Sequence, residues 1–386
     1  MTLNSRGKMT VADKKQKVLW FSWRGINHPS AGGEERYVHE VSTRLCALGF
    51  DLTVVACKSH NKDPQSKPPY RLIEIGNHEA FGAFAFFHAL RRAHENAIVI
   101  EDTSKVPLFL PIPRKIVVSH HLNRKVFFVE LPFVKAAFGY FLEISMCLLY
   151  PVLFRKTKFV TVSNYTKQEL VSLGVPHDRI VVIPPGAADG HSPGNTPCAK
   201  SAFPSICYVS RLVRYKRPEL AIRIMAEVTK SIPTAKMFIV GRGEETLRLV
   251  ELVTALGLSE NVEIVGYLPE ERKHEILSQS WVNLITSSRE GFGLTVLEAG
   301  SLLTPTVAFE NTALTESVLH GETGVLVRDG DVKVAAQEIV ELMRDPARLK
   351  SLAENARIHS RAYDWETTAV SLKSVMGAIT GPATES

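Results

Sequence analysis

Residues 290–298 read Glu290-Gly291-Phe292-Gly293-Leu294-Thr295-Val296-Leu297-Glu298. They follow an apolar, strand-like run, Trp281-Val282-Asn283-Leu284-Ile285, and lead into a helical run that continues to Leu303. A carboxylate therefore stands at the carboxyl end of a strand, a glycine turn follows, and a second carboxylate lies on the helix beyond. A glycine turn into a helix N-terminus gathers unpaired backbone N–H groups around one point and favours an anion there. Phosphates held by amides, beside carboxylates that accept hydrogen bonds from hydroxyls, suit a sugar nucleotide. The competing reading is an ordinary strand–loop–helix connection with one surface and one helical glutamate.

Outward from this stretch, strands and helices alternate. Lys17 to Trp23 reads as a strand, Glu34 to Leu48 as a helix whose Val38, Val41, Leu45 and Leu48 form one face, and Leu52 to Ala56 as a strand. Short apolar runs follow at 97–101, 115–119 and 158–162, then a helix over 166–173 with Ser163 placed to cap it, and a run at 179–183. A second alternating series starts at Ser205: strand to Ser210, helix 218–231, strand 236–240, helix 244–256, strand 262–265, helix 269–279, the strand before Glu290, and 304–309. Between the series lies a stretch rich in glycine, proline and small polar residues. The expected division is a first domain over 1–185, a linker over 186–201, a second domain over 202–360, and a helix over 361–386 returning to the first. Alternation of this kind predicts an α/β fold with two parallel sheets, Rossmann-like, facing a central cleft at the carboxyl ends of their strands.

A chain of 386 residues suits about two domains. Its 45% apolar and 22% charged content is that of a folded soluble protein. The five cysteines are scattered without a CxxC pair, which indicates neither a zinc ribbon nor a disulfide framework and points to a reducing, cytoplasmic setting. Met1 to Lys17 is polar, lacks the apolar stretch of a signal peptide, and reads as a loose tail. The net charge of +6 is modest, but between Arg114 and Gln168 there are nine Lys or Arg against only Glu130 and Glu143. Phe127, Phe128, Phe133, Phe138, Tyr140, Phe141, Leu148, Leu149, Tyr150 and Phe154 interleave with them. No nucleic-acid motif accompanies this segment, so nucleic acid is not expected as a partner. A basic, aromatic-rich helical surface over 124–158 fits an anionic membrane, and a helix pair covered by its own domain fits equally. Glu143, Gly139 and Pro151 interrupt the run from Ala136 to Phe154, which argues against a spanning helix.

Other strand-end loops carry compatible chemistry. Pro29-Ser30-Ala31-Gly32-Gly33-Glu34 leads into a helix and lets backbone approach a phosphate or sugar. Arg211-Leu212-Val213-Arg214-Tyr215-Lys216-Arg217-Pro218 offers Arg211 and Lys216 to a diphosphate, whose charge grows as a glycosidic bond breaks; two cations stabilise it without a metal. A solvated basic turn before a helix is the alternative. Gly241-Arg242-Gly243-Glu244-Glu245 opens another helix but does not match GxGxxG, so a nicotinamide cofactor is not supported. Gly266 and Tyr267 follow the next strand as a wall for a nucleobase.

In their order and spacing these motifs resemble the retaining glycosyltransferases of family 4 (glycosyl transferases group 1), which have the GT-B fold. The resemblance runs from about residue 18 to 370 and also rests on VTVSNYTKQEL at 160–170, VVIPPG at 181–186 and AGGEERYVHEVSTRLCALG at 31–49. It implies that Glu290 contacts donor-sugar hydroxyls and Glu298 the ribose. Arg211 and Lys216 would hold the diphosphate with backbone around Phe292, Gly293, Leu294 and Thr295. Gly32 and Gly33 would form the facing lip, Gly241 and Gly266 the donor pocket. A histidine near the sugar would be His120, with His121 its competitor, since neighbours on a strand point to opposite faces.

Pro184-Pro185-Gly186-Ala187-Ala188-Asp189 departs from the usual Pro-Asn-Gly-Val-Asp, and Arg217 stands where glycine is common. Asp329-Gly330-Asp331 resembles a metal motif of other glycosyltransferases but reads here as a surface turn; neither a metal nor a cofactor is expected. The expected partners are a nucleotide-sugar donor and an acceptor that is either lipid-linked, as in glycolipid or surface-polysaccharide assembly, or a small soluble molecule. A sugar-nucleotide epimerase on the same fold and a non-catalytic sensor are the rival functions; the Glu290/Glu298 spacing argues for transfer.

Overall fold

A computed structural model describes residues 15–59, 67–77, 80–92, 97–103, 105–187 and 198–380. The N-terminal tail up to residue 14, residues 188–197 of the expected linker, and residues 381–386 lie outside the described residues.

The first sheet has seven strands, β1 (Lys17–Phe21), β2 (Asp51–Ala56), β3 (Arg71–Glu74), β4 (Ile98–Asp102), β5 (Lys115–Ser119), β6 (Lys158–Thr161) and β7 (Ile180–Val182), in the order β3-β2-β1-β4-β5-β6-β7. The second has six, β8 (Ser205–Val209), β9 (Lys236–Val240), β10 (Val262–Gly266), β11 (Val282–Ile285), β12 (Thr306–Glu310) and β13 (Gly324–Arg328), in the order β10-β9-β8-β11-β12-β13. All pairs of the second sheet run parallel. Helices are α1 (Gly33–Ala47), α2 (Phe81–Arg92), α3 (Arg124–Glu130), α4 (Phe133–Leu153), α5 (Asn164–Ser172), α6 (Pro218–Ser231) and α7 (Thr246–Ala255). The remainder are α8 (Glu270–Gln279), α9 (Leu294–Ser301), α10 (Leu314–Ser317), α11 (Val332–Arg344), α12 (Pro346–Ser360) and α13 (Trp365–Thr380).

Both sheets share one order, with the first two crossovers running one way and the later ones the other. In each, the chain therefore reverses between the first and fourth strands, and the loops leaving those two strands diverge around a crevice. In the second sheet those strands are β8 and β11. The central strands are buried on both faces, as near-continuous apolar runs such as Val18-Leu19-Trp20-Phe21 require.

The described residues divide into two compact units. One gathers 1–118, 149–160 and 369–386; the other gathers 119–148 and 161–368. Residues 119–148, in the middle of the expected first domain, thus share a unit with 202–360, while the end of α13 groups with the N-terminal strands.

In the first unit a buried ion pair ties sheet to helix. Lys115 on β5 donates to Glu101 Oε2 on β4 at 2.6 Å and to the Leu110 carbonyl at 2.7 Å, both side chains being fully buried. Glu101 Oε1 accepts from the Leu108 and Phe109 N–H groups and from the Tyr150 hydroxyl. The ammonium lies 3.9 Å from the centre of the Tyr150 ring. Burial pulls the Lys115 pKa down, and the Glu101 charge opposes it. Removing one partner of such a pair strands the other. Lys115→Met is therefore expected to cost about 3–5 kcal/mol of stability in urea denaturation, with Glu101→Gln added to Lys115→Met recovering part of the loss.

Candidate functional site

At the carboxyl ends of β8 and β11, two loops meet. The β8 loop carries Arg211 and Lys216, the β11 loop Glu290. Lys216 Nζ lies 2.6 Å from Glu290 Oε1, which also accepts from Ser287 Oγ at 2.7 Å. The Glu290 N–H is held by Thr312 Oγ1 at 3.1 Å. Burial alone would lower the Lys216 pKa, but the charge and hydrogen bond of Glu290, together with Tyr215, outweigh it and the net shift is upward. Lys216 thus stays a cation in a largely enclosed place.

Tyr215, between the two cations, organises them. Arg211 Nη2 donates to its hydroxyl at 2.5 Å, and the Lys216 ammonium stands 5.2 Å from its ring centre. Its carbonyl accepts from the Ser288 N–H and hydroxyl, and its N–H donates to Glu130 Oε1 at 2.8 Å at the end of α3. The resemblance drew attention to Arg211 and Lys216 alone, although Tyr215 lies inside the same quoted motif. Arg217 takes a left-handed backbone, φ +53°, which explains why glycine suits this position. Its guanidinium donates to the Thr286 and Ser287 carbonyls and to Asp329, contacts that offset the strain. Asp329 also accepts from Asn311, while Asp331 caps α11 through the Val334 N–H. The Asp329-Gly330-Asp331 segment is a turn whose carboxylates serve the protein's own donors.

Gly293, with φ +94°, turns the chain into α9, so that Leu294 and Thr295 supply the first turn of that helix beside Glu290. The Phe292 ring faces inward, stacked edge-on against Tyr363 at 5.2 Å, which leaves its backbone to the site. A Cβ on Gly291 would come within 2.4 Å of the His120 carbonyl. Glycine here lets the β11 loop touch the loop after β5. His120 is buried, and its carbonyl also accepts from Thr166 Oγ1 at 3.4 Å. His121 stands in the field of Arg289, Lys216 and Arg211; burial first, then those cations, pulls its pKa well below the usual imidazole value. A neutral ring results. Asn123 Oδ1 lies 3.1 Å from His121 Nε2, and the Asn123 N–H is held by Glu143 of α4, a carboxyl pushed up by burial to about 7. His121 is in electrostatic reach of Arg289, Lys216 and Arg211. Arg289, next to Glu290, makes a paired contact with Glu169 of α5, which sequence reading did not single out.

Gly241 and Gly243 pack against the β8 loop: a Cβ would fall 1.8 Å from the Ser210 carbonyl and 2.0 Å from that of Leu212, respectively. Their first role is close backbone packing, with Gly241 N–H bonded to the Gly266 carbonyl at 2.8 Å. Gly266 has φ +81°, and the half-exposed Tyr267 ring lies under the Arg242 guanidinium at 4.5 Å. Glu298 is buried on α9 and paired with Lys273 of α8 at 3.1 Å. Gly32 and Gly33 belong to the other unit, at the start of α1, where Glu35 reaches back to the Gly32 N–H at 2.7 Å and pairs with Arg24.

Residues 199–359 match the family described as glycosyl transferases group 1, and residues 31–189 the family described as Glycosyltransferase Family 4. Among curated proteins, a D-inositol 3-phosphate glycosyltransferase of Nocardia farcinica is 31% identical over 220 residues, 53% of this chain and 49% of that one. The chain spans about half the length of the curated relatives it matches. Among solved structures, a glycosyltransferase from Rickettsia africae superposes with TM-score 0.75 at 19% identity, over 96% of this chain and 100% of that one. HepE from Anabaena, solved with UDP and glucose, gives TM-score 0.73 at 17% identity, over 93% and 99%. These likenesses show the fold, which is GT-B.

The contact of Gly291 with the His120 carbonyl sets an expectation for stability. Gly291→Ala must push two backbones apart, and overpacking of this kind costs about 1–3 kcal/mol. Its melting temperature should fall by several degrees, while Gly377→Ala, where a Cβ meets nothing within 4 Å, should not lower it.

Proposed function

Because this chain belongs to the group 1, family 4 glycosyltransferases, we propose that it moves a sugar from a nucleotide diphosphate to an acceptor hydroxyl with retention of configuration. The observation that carries this reading is the convergence of Arg211, Lys216 and Glu290 at the ends of β8 and β11, beside the N-terminus of α9. In this reading the donor diphosphate sits on the α9 amides, with Arg211 and Lys216 taking the charge that develops as it leaves. Glu290, fixed by Lys216 and Ser287, accepts hydrogen bonds from the donor sugar, and Glu298 accepts them from the ribose. The neutral His121 offers a hydrogen bond near the sugar without adding charge. The acceptor hydroxyl attacks from the face the diphosphate leaves, and a departing phosphate oxygen takes its proton. The protein then contributes position and charge stabilisation, and two fixed cations do the work a metal would do elsewhere.

For the acceptor we favour a lipid-linked hydroxyl at the cytoplasmic face of a membrane. Phe133–Leu153 is one helix long and apolar enough to cross a membrane, but it carries the buried Glu143. Its burial is inverted for a core helix. Val134, Phe138, Phe141, Leu148 and Val152 form an exposed stripe at helical spacing, Val134 being 79% accessible, while Ala136, Glu143, Met146 and Tyr150 face inward. Exposed Lys135, Arg155 and Lys156 adjoin the stripe. Apolar rings with flanking cations suit the interface of an anionic bilayer, with the helix lying in its plane. A soluble phosphorylated acceptor is the second reading, favoured by the inositol phosphate in the names of the curated relatives.

Thermal unfolding with UDP-, GDP- and ADP-sugars, without added metal, tests the donor site. A ligand at about 100 times its Kd adds about 2.7 kcal/mol, so one sugar nucleotide should raise the melting temperature by several degrees, and Arg211→Ala should abolish the shift. No response to any of them contradicts the donor assignment. Glu290→Gln should fold normally yet lose about 10²–10³ in kcat; an unchanged rate removes Glu290 from the reaction.

Flotation with phosphatidylcholine vesicles, with and without phosphatidylglycerol, tests the surface. Binding to the anionic vesicles alone, lost on Phe138→Ser with Phe141→Ser, is expected. No binding to either sinks the membrane reading and leaves the soluble acceptor.

A further inference from the structure

Glu270, His274 and Glu298 present ligand atoms within 4.8 Å of one another, a geometry that invites a divalent cation. A protein cation already stands among those carboxylates. Lys273 Nζ lies 3.2 and 3.1 Å from the two Glu298 oxygens and 3.1 and 2.9 Å from those of Glu270. A metal would have to displace this ammonium. The arrangement is one of holding: Glu270 is half-exposed at the start of α8, Lys273 follows one turn later, and Glu298 is buried on α9 with its side chain 6% accessible.

We propose that Lys273 is a positioning residue for the donor ribose, acting through Glu298; this rests on the donor site proposed above. A buried carboxylate is costly unless paired, and it turns freely about its last bonds unless both oxygens are fixed. Lys273 engages both oxygens from one side and is itself steered by Glu270. A carboxylate offers about four acceptor positions, more than one ammonium uses, so pairing with Lys273 is compatible with accepting from a vicinal diol. Recognition of the 2′-hydroxyl then depends on a residue outside the nine-residue stretch that carries Glu298, on a different helix.

The test compares affinities for UDP and dUDP, GDP and dGDP, and ADP and dADP. Wild type should prefer the ribose form of its own base by about 10- to 100-fold, the worth of a hydrogen bond to a charged group. Glu298→Gln should bring that ratio towards one. Lys273→Met should do the same, raising KM for the donor with kcat little changed, and Lys273→Arg should restore much of the preference. If Lys273→Met weakens the ribose and deoxyribose forms equally, Lys273 is merely structural and the inference fails. It also fails if Lys273→Met binds the ribose form more tightly, since Lys273 would then compete with the ligand. Should Lys273→Met not fold, Lys273→Gln is read in the same way. Wild type binding none of the diphosphates would overturn the donor site itself. Wild type binding one of them without ribose preference would overturn only the role given to Glu298 and Lys273.

Discussion

Everything at the candidate site turns on one ion pair, Lys216 with Glu290, 2.6 Å apart and nearly enclosed. Each charge would be costly alone in that place. Together they bind the loop after β8 to the loop after β11, the two parallel strands between which the winding order of the chain reverses. Topology brings these strand ends side by side, and the pair converts that adjacency into a fixed distance. Thr312 then holds the Glu290 N–H, Ser287 donates to the same carboxylate, and the Tyr215 hydroxyl accepts from Arg211. A ligand entering here meets a cation that is already charged and already aimed, so little reorganisation is left for the moment of reaction.

The buried pair of Lys115 and Glu101 has the same chemistry and a different purpose. Both Glu101 oxygens are taken up by two backbone amides, a tyrosine hydroxyl and the lysine, and the lysine also holds a carbonyl and an aromatic face. Such a network is satisfied internally and locks β4, β5 and the end of α4 into one arrangement. Around Glu290 the donors are fewer, and a helix N-terminus adjoins it. The sign and distance of the charges do not separate a structural pair from a ligand-binding one; the surrounding saturation does.

Legibility in the sequence followed the strength of local signals. The alternating strands and helices of the second half, from Ser205 to Phe309, fall within a residue or two of their structural bounds, because buried parallel strands read as unbroken apolar runs. Ser163 caps α5 through the Thr166 N–H as its position suggests. β3 and α2 were not read: β3 has four residues and no buried face, and α2 is apolar almost throughout. At the site, the candidates legible in the sequence sit in strand-end loops, Arg211 and Lys216 after β8 and Glu290 after β11. Lys273, Glu169 and Glu130 were not legible, because each acts from a helix whose pattern is that of any solvated helix, and only the fold brings it to its partner. The pair His120 and His121 illustrates the same limit, since strand alternation says that one of two adjacent histidines enters a site but not which one.

α4 shows how a sequence can state a composition and withhold its meaning. Its high apolar content and its interruption by Glu143 were both plain, and a core helix and a surface helix were equally consistent with them. Burial decides between these by inversion. The one acidic residue points inward, where it anchors the Asn123 N–H beside His121, while Phe133, Phe138 and Phe141 point outward. Exposing those rings to water costs free energy that folding alone does not recover. The inward carboxyl shows why the helix is not simply turned over: rotating the rings into the core would drag Glu143 off the loop that bears the two histidines. The stripe is therefore held outward by the same Glu143 contact that holds the Asn123 N–H beside His121.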